Sequence, residues 1–214
     1  MRYILLFLVL KSLSVYAIDI GTLTYNLDAN REFTTKIIKN NTNKVKLYTV
    51  NTYEVTEPTK DETIINTAGH DLLFNPKRFT LQPGESKNVK FYYNGIKNKE
   101  RYFRTVFDEY EIPSLNNNNL SAYLSVSINA IMVVIPAKRQ LEYNISYKDS
   151  IITNEGNSYF EFIIKESCNQ PDSDSESKKL LPGRSFYSDK INKDNYFVII
   201  NNGNFNFINN HCKD

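Results

Sequence analysis

Residues 121–135 alternate without a break. The even positions, Ala122, Leu124, Val126, Ile128, Ala130, Met132 and Val134, are all apolar. The odd positions run Ser121, Tyr123, Ser125, Ser127 and Asn129, then turn apolar at Ile131, Val133 and Ile135. A period of two belongs to a β-strand, whose successive side chains point to opposite faces. The first half therefore has one apolar and one polar face. The second half is apolar on both faces, as in a strand buried on both sides.

The rest of the chain follows the same period in shorter runs. It carries 15 Tyr and 13 Phe with abundant Ile, Val and Thr, and Asn, Pro and Gly punctuate the runs. Strands are predicted over 32–38, 46–53, 88–93, 102–110, 121–135, 141–147, 159–165, 196–200 and 205–208. No amphipathic helix stands out. Short strands at this spacing predict β-sandwiches, not a parallel sheet. Gln82-Pro83-Gly84-Glu85 and Leu181-Pro182-Gly183-Arg184 place Pro and Gly as a type II turn requires. Their recurrence about a hundred residues apart suggests two similar sandwiches. The boundary is placed at Pro136-Ala137-Lys138-Arg139-Gln140, where a proline and two cations follow the longest apolar run of the mature chain. This predicts one domain over 18–137 and a second over 138–214. The segment 169–179, rich in Asp and Ser, reads as a mobile surface loop.

The opening segment reads as an address. Arg2 precedes the apolar residues 4–10, and Val15-Tyr16-Ala17 offers small residues for a signal peptidase. Residues 1–17 form the predicted signal peptide, and the run is too short to span a bilayer. No later stretch approaches the roughly 18 apolar residues of a membrane helix. The signal segment holds two cations, Arg2 and Lys11, and no acid. The remainder of the 26 Lys+Arg therefore balances the 24 Asp+Glu. A mature chain of zero net charge gives no reason to expect nucleic acid or an anionic membrane as partner. Two cysteines in an exported chain, Cys168 and Cys212, suggest one disulfide. The loop-entropy model gives such a bridge about 3–4 kcal/mol.

Chemistry-bearing motifs are sparse. His70 and His211 are far apart and belong to no metal-ligand spacing, so no metal and no cofactor is expected. Asp172, Asp174 and Glu176 alternate but lack the glycine and the later bidentate Glu of a calcium loop. No nucleophile elbow, phosphate loop or dinucleotide fingerprint occurs, and an enzyme is not expected.

An ordered set of motifs resembles the periplasmic pilus chaperones. Leu73-Phe74-Asn75-Pro76-Lys77-Arg78-Phe79-Thr80-Leu81-Gln82-Pro83-Gly84 is similar to that family's P-x-x-F-x-L-x-P-G segment. Glu100-Arg101-Tyr102-Phe103-Arg104 and Glu111-Ile112-Pro113 follow in family order. Ile152-Thr153-Asn154-Glu155-Gly156-Asn157 resembles the family's L-T-N-x-G-N turn, and Leu181-Pro182-Gly183 its later L-x-P-G. Glu-Arg-Tyr-x-Arg and the Ile-Met-Val-Val-Ile-Pro exit resemble the alternative branch, in particular chaperones of common-pilus type. The likeness covers nearly the whole mature chain.

The resemblance implies two immunoglobulin-like domains in an L or boomerang arrangement. It implies a periplasmic chaperone that captures pilus subunits, pilins or a tip adhesin, by donor-strand complementation and delivers them to an outer-membrane usher. The strand over 121–135 is the implied donor. Leu124, Val126 and Ile128 fill the subunit's groove, flanked by Ala122 and Ala130. Each large side chain buried there contributes about 1.5–3 kcal/mol. The better-known branch anchors the subunit's terminal carboxylate with an Arg on the first strand and a Lys on the donor strand. Here the donor position is Ile131, and residues 18–26 carry no cation. Arg101 and Arg104 are the candidate substitutes, with surface or salt-bridge roles within the domain as the alternative. By composition alone, the 121–135 run also fits an ordinary core strand. Two rival readings are a pilus subunit or adhesin of the same sandwich type, and a secreted immunoglobulin-like binding protein.

The mature protein is expected to begin at Ile18. N-terminal sequencing of exported material checks this, and a retained Met1 refutes it.

Overall fold

The computed structural model describes residues 17–28, 30–59, 61–67, 71–112 and 125–209. Among the expected features, the signal segment before Ala17, Ala122, Leu124 and Cys212 lie outside them.

Among the described residues, ten strands precede Pro136. They are β1 (Ile18–Asp19), β2 (Thr24–Asp28), β3 (Thr34–Asn40), β4 (Lys46–Val55), β5 (Ile64–Thr67), β6 (Leu72–Asn75), β7 (Arg78–Leu81), β8 (Ser86–Tyr93), β9 (Arg101–Glu111) and β10 (Ser125–Ile135). Seven follow: β11 (Tyr143–Ser146), β12 (Ile151–Asn154), β13 (Phe160–Lys165), β14 (Glu176–Leu180), β15 (Ser185–Tyr187), β16 (Tyr196–Asn201) and β17 (Asn204–Ile208). The first ten form two sheets, β1-β3-β8-β6 and β2-β10-β9-β4-β5, with β7 also on β4. The last seven form β11-β12-β15 and β14-β13-β16-β17. Among the described residues, no sheet mixes strands from the two groups. The fold is all-β, two immunoglobulin-like sandwiches in one chain.

Each sandwich closes over its own core. The first is packed with Leu27, Tyr48, Phe91, Phe107 and Met132. The second is packed with Ile152, Phe160, Phe162, Phe197 and Ile199. The alternation of residues 121–135 is read out on both faces. The even face of β10 supplies Ala130, Met132 and Val134 to the first core. The odd face supplies Val133 and Ile135, with Ile131 at the margin, to a separate cluster with Val55 and Tyr102 that meets Leu181 of the second sandwich. The second half is apolar on both faces because one face lines a domain core and the other an interdomain contact.

Polar contacts join the same boundary. The Asn157 amide donates to the carbonyls of Asn98 (2.8 Å) and Lys138 (2.8 Å), and Glu100 N–H donates to the Asn157 carbonyl at 3.0 Å. Arg184 pairs with Glu57 at 2.8 Å. Burial pushes the Glu100 carboxyl up, opposed by the Tyr102 hydroxyl, the Tyr159 backbone and Arg139.

Both Pro-Gly turns adopt the expected geometry, with Gly84 and Gly183 at φ 77°. Glu85 N–H donates to Gln82 O and Arg184 N–H to Leu181 O, each at 3.0 Å. The structure adds a partner that the sequence reading missed. Each turn is clasped by a wholly buried asparagine, Asn40 in the first domain and Asn154 in the second. The Asn40 amide donates to Leu81 O (3.0 Å) and Lys44 O (2.8 Å), and its backbone carbonyl accepts from Gly84 N–H at 2.8 Å. The Asn154 amide donates to Leu180 O (2.9 Å) and Ser158 O (3.0 Å), and its carbonyl accepts from Gly183 N–H at 2.8 Å. The side-chain oxygens accept from Thr42 and Gly156 N–H respectively, each at 2.9 Å.

One expectation is corrected. The segment 169–179 is not loop throughout: after a short 3-10 turn at Asp172–Asp174, β14 pairs antiparallel with β13 from Glu176↔Ile164 to Leu180↔Phe160. Its charges suit an edge strand, where Lys and Glu discourage pairing with another chain.

Asn40→Ala and Asn154→Ala should each destabilise the chain by about 2–3 kcal/mol, because each strands buried carbonyls without a donor. Chemical denaturation of the two variants checks this, and unchanged midpoints refute it.

Candidate functional site: the open edge of β10

β9 runs antiparallel to β10 along nearly all of its length, from Ser125↔Tyr110 to Val134↔Arg101. On the other side β2 pairs in parallel only from Ile131↔Thr24 to Ile135↔Asp28. Among the described residues, residues 125–130 therefore have a strand on one side and none on the other. The cause lies in the first strand. β1 pairs with β3 in one sheet, at Ile18↔Asn40 and Asp19↔Lys39, before the chain crosses to pair with β10 in the other. Each sheet receives only part of a covering strand.

The direction of the open backbone groups follows from one bond. Ile131 N–H donates to Leu23 O at 2.8 Å, so odd residues of β10 point toward the β2 side. Alternation then turns the N–H and C=O of Ser125, Ser127 and Asn129 to the open side. Their side chains are exposed. Val126 and Ile128 are half-buried at the margin of the first core, opposite Glu109 and Phe107. A groove of about 460 Å³ lies beside Ile128, walled by residues 17–21, Leu23 and Asn41.

Expected and observed placements differ at Ala130. Ala130 is 0% exposed and belongs to the domain's own core. It sits against Thr105, and its successor Ile131 is already paired with β2, so a partner has no access to it. Arg101 donates through Nε and Nη2 to Glu54, the latter at 2.7 Å to Oε2, and lies 3.6 Å from Asp71. Arg104 is bound to Glu62, with Nε 3.2 Å from Oε1 and a second contact from Nη2. Both arginines are engaged by carboxylates of their own domain, the within-domain salt-bridge role that stood as the alternative to an anchor. Bidentate pairing of this kind favours a fixed arginine over a free one.

A cation that the sequence reading passed over lies at the strand crossing. Lys36 of β3 is only 6% exposed. Its ammonium donates to the Thr22 carbonyl and hydroxyl, the latter at 3.2 Å, and lies 4.8 Å from the Tyr25 ring centroid. Burial pulls this lysine below the usual range, against the opposing pull of Asp19. The Tyr25 hydroxyl bonds Thr105 Oγ1 at 2.8 Å, and burial pushes that phenol up. The signal was weak because the inward face of β3 reads Lys36, Ile38, Asn40, two polar residues in three. At the far end of the open edge, Glu109 accepts from Tyr48 at 2.8 Å, and Glu111 sits 3.2 Å from Lys44 and 3.3 Å from Lys46. Those lysines hold the Glu111 carboxyl below its ordinary range.

Cys168 is disulfide-bonded. Among the described residues no cluster of His, Cys, Asp and Glu could hold a metal, and no helix is long and apolar enough to cross a membrane.

Known proteins are similar to this chain over most of its length. No family model matches the chain. The probable fimbrial chaperone EcpE of Escherichia coli O127:H6 (strain E2348/69) is 28% identical over 202 residues, spanning 92% of this chain and 86% of the relative. The chain is thus similar to curated fimbrial chaperones over most of its length. The probable fimbrial chaperone EcpB of Escherichia coli O157:H7 is likewise 28% identical, over 190 residues, 85% of this chain and 86% of EcpB. In fold, the chain resembles the class 5 fimbriae chaperone CfaA, with a TM-score of 0.67 at 20% identity over 90% of this chain and 98% of CfaA. It also resembles the periplasmic chaperone SfaE, with a TM-score of 0.53 at 10% identity over 90% and 98%.

Charge placed along β10 should separate its faces. Ala130→Asp buries an unpaired carboxylate and should unfold the first sandwich. Ser127→Asp, on the wet face, should stay within about 0.5 kcal/mol of the parent. Thermal unfolding of the pair is the measurement, and equal midpoints would contradict the assigned faces.

Proposed function

We propose that this chain is an exported, non-enzymatic chaperone that captures pilus subunits on the open edge of β10 and passes them to an outer-membrane usher. The observation that carries the reading is the half-covered strand. A subunit lacking its last strand can align its own edge against Ser125, Ser127 and Asn129 and gain main-chain hydrogen bonds there. Val126 and Ile128 lie on the apolar face of the same segment, half-buried at the rim of the domain core. Leu124 and Ala122 continue that face by sequence parity. Once a partner sheet abuts the edge, these side chains join its core to that of the chaperone.

The fimbrial-chaperone relatives support the same reading. A structure of SafB contains the SafA pilin, and its chaperone fold has a TM-score of 0.54 to this chain. The relatives' periplasmic setting supports export through residues 1–17. A disulfide from Cys168 to Cys212, the only other cysteine, suits that compartment.

Proline tests the backbone contact itself. Ser127→Pro deletes an N–H that faces the open side, leaving the β9 ladder intact, as edge positions allow. The variant should fold and lose subunit capture at least about tenfold, the scale of one or two hydrogen bonds. Co-expression with subunit genes and periplasmic pull-down, beside a circular-dichroism melt, is the measurement. Folded Ser127→Pro protein that captures subunits as the parent does would refute the reading.

A further inference from the structure

The open edge has a competitor within its own chain. β2 pairs with β10 in parallel, Thr24 beside Ile131. Extending that register backwards sets residues 18–23 beside residues 125–130, a segment of the same length as the open edge. Had the first strand stayed on β10, it would have capped the edge completely.

Parity works against this. In the observed register Tyr25 lies beside Met132 and Leu27 beside Val134, so odd residues of the first strand share the core face. Continued without a break, the core face would receive Leu23, Gly21 and Asp19, with Asp19 beside Val126. The solvent face would receive Thr22, Ile20 and Ile18. A carboxylate would enter the core margin, and two isoleucines now 6% and 4% exposed would be driven out. The observed chain avoids this at Gly21, whose φ of 66° breaks the strand and resets the faces. Asp19 Oδ1 accepts from Gly21 N–H at 2.8 Å and stabilises that bend. Lys36 then pins the next residue, Thr22, from below.

We propose that Asp19 and Gly21, seconded by Lys36, are positioning residues that keep β10 open by denying the first strand the face parity to cap it. The inference rests on the reading of β10 as the subunit-binding edge. Such a device suits an edge that must stay vacant for an incoming partner without pairing with its own neighbour.

The test is Asp19→Val/Gly21→Val in the full-length mature chain. The change makes the core face of a continued strand apolar throughout and disfavours the left-handed bend. A Cβ at Gly21 meets nothing within 4 Å, so packing does not oppose it. Hydrogen exchange of the Ser125, Ser127 and Asn129 amides, followed by NMR, reads capping directly. The expected result is about tenfold or greater slowing at these three amides, with subunit capture falling in parallel. Asp19→Asn keeps the acceptor for Gly21 N–H and should retain parental exchange. A purely structural role would lower the melting midpoint without protecting these amides. Should the double variant not fold, Gly21→Val alone is expected to move the same amides in the same direction. Edge amides that exchange as in the parent, in a folded variant, overturn the inference. Protected amides with undiminished subunit capture uphold it and overturn the assignment of β10 as the binding edge.

Discussion

The site depends on how one strand is divided between two sheets. A sandwich has more sheet edges than a single strand can cover. Here the first strand covers one edge through β1 and then crosses to cover part of another through β2. The crossing leaves residues 125–130 with main-chain groups that no described strand meets. An exposed edge is ordinarily a liability, managed by charge, proline or a bulge. The described part of this one carries none of these: its open side is Ser125, Ser127 and Asn129, small polar residues that neither repel nor block a pairing strand. An edge left plain in a protein that charges its β14 edge with Glu176, Lys178 and Lys179 is consistent with an edge kept for use.

The two sandwiches are built on one local device repeated. Asn40 and Asn154 each bond the carbonyl just before a Pro-Gly turn and accept from the glycine of that turn. A buried amide with its donors and acceptor satisfied ties strand ends that are far apart in sequence, and leaving any of those groups unpaired would cost more than the bonds contribute. Leu181, at the second turn, packs against the cluster that β10 forms through Val133 and Ile135 with Val55 and Tyr102. The paired half of the strand is thereby held between a domain core and a neighbouring domain, and the open half projects from a fixed base.

Much of this was legible in the chain. The long period-two run located β10, and its change from one apolar face to two marked where the strand passes from edge to interior. Pro83-Gly84 and Pro182-Gly183 located the turns. The short strands β5, β6, β7, β12, β14 and β15 were not predicted, because three to five residues offer few alternations to distinguish from a loop, and the first strand over 18–26 is divided into β1 and β2. Asn154 was noticed as part of a turn but not as a clasp, and Lys36 was passed over. Both act on residues distant in sequence, and hydrophobic patterning is silent about where a polar side chain finds its partner.

Sequence alone determined the class of fold, the long alternating strand and the sides to which its residues turn, since face parity is a property of the local backbone. Only the tertiary structure decided which of those residues are accessible. Ala130 and Ile128 share a face and a pattern, yet Ala130 is sealed in the core and Ile128 borders an open groove. The difference comes from β2, which begins to pair at Ile131. Arg101 and Arg104 likewise carry the charge an anchor needs, and it is the arrival of Glu54 and Glu62 from other strands that engages them. Accessibility and charge pairing depend on strands brought together by long-range packing, and a local pattern of residues contains no term for them.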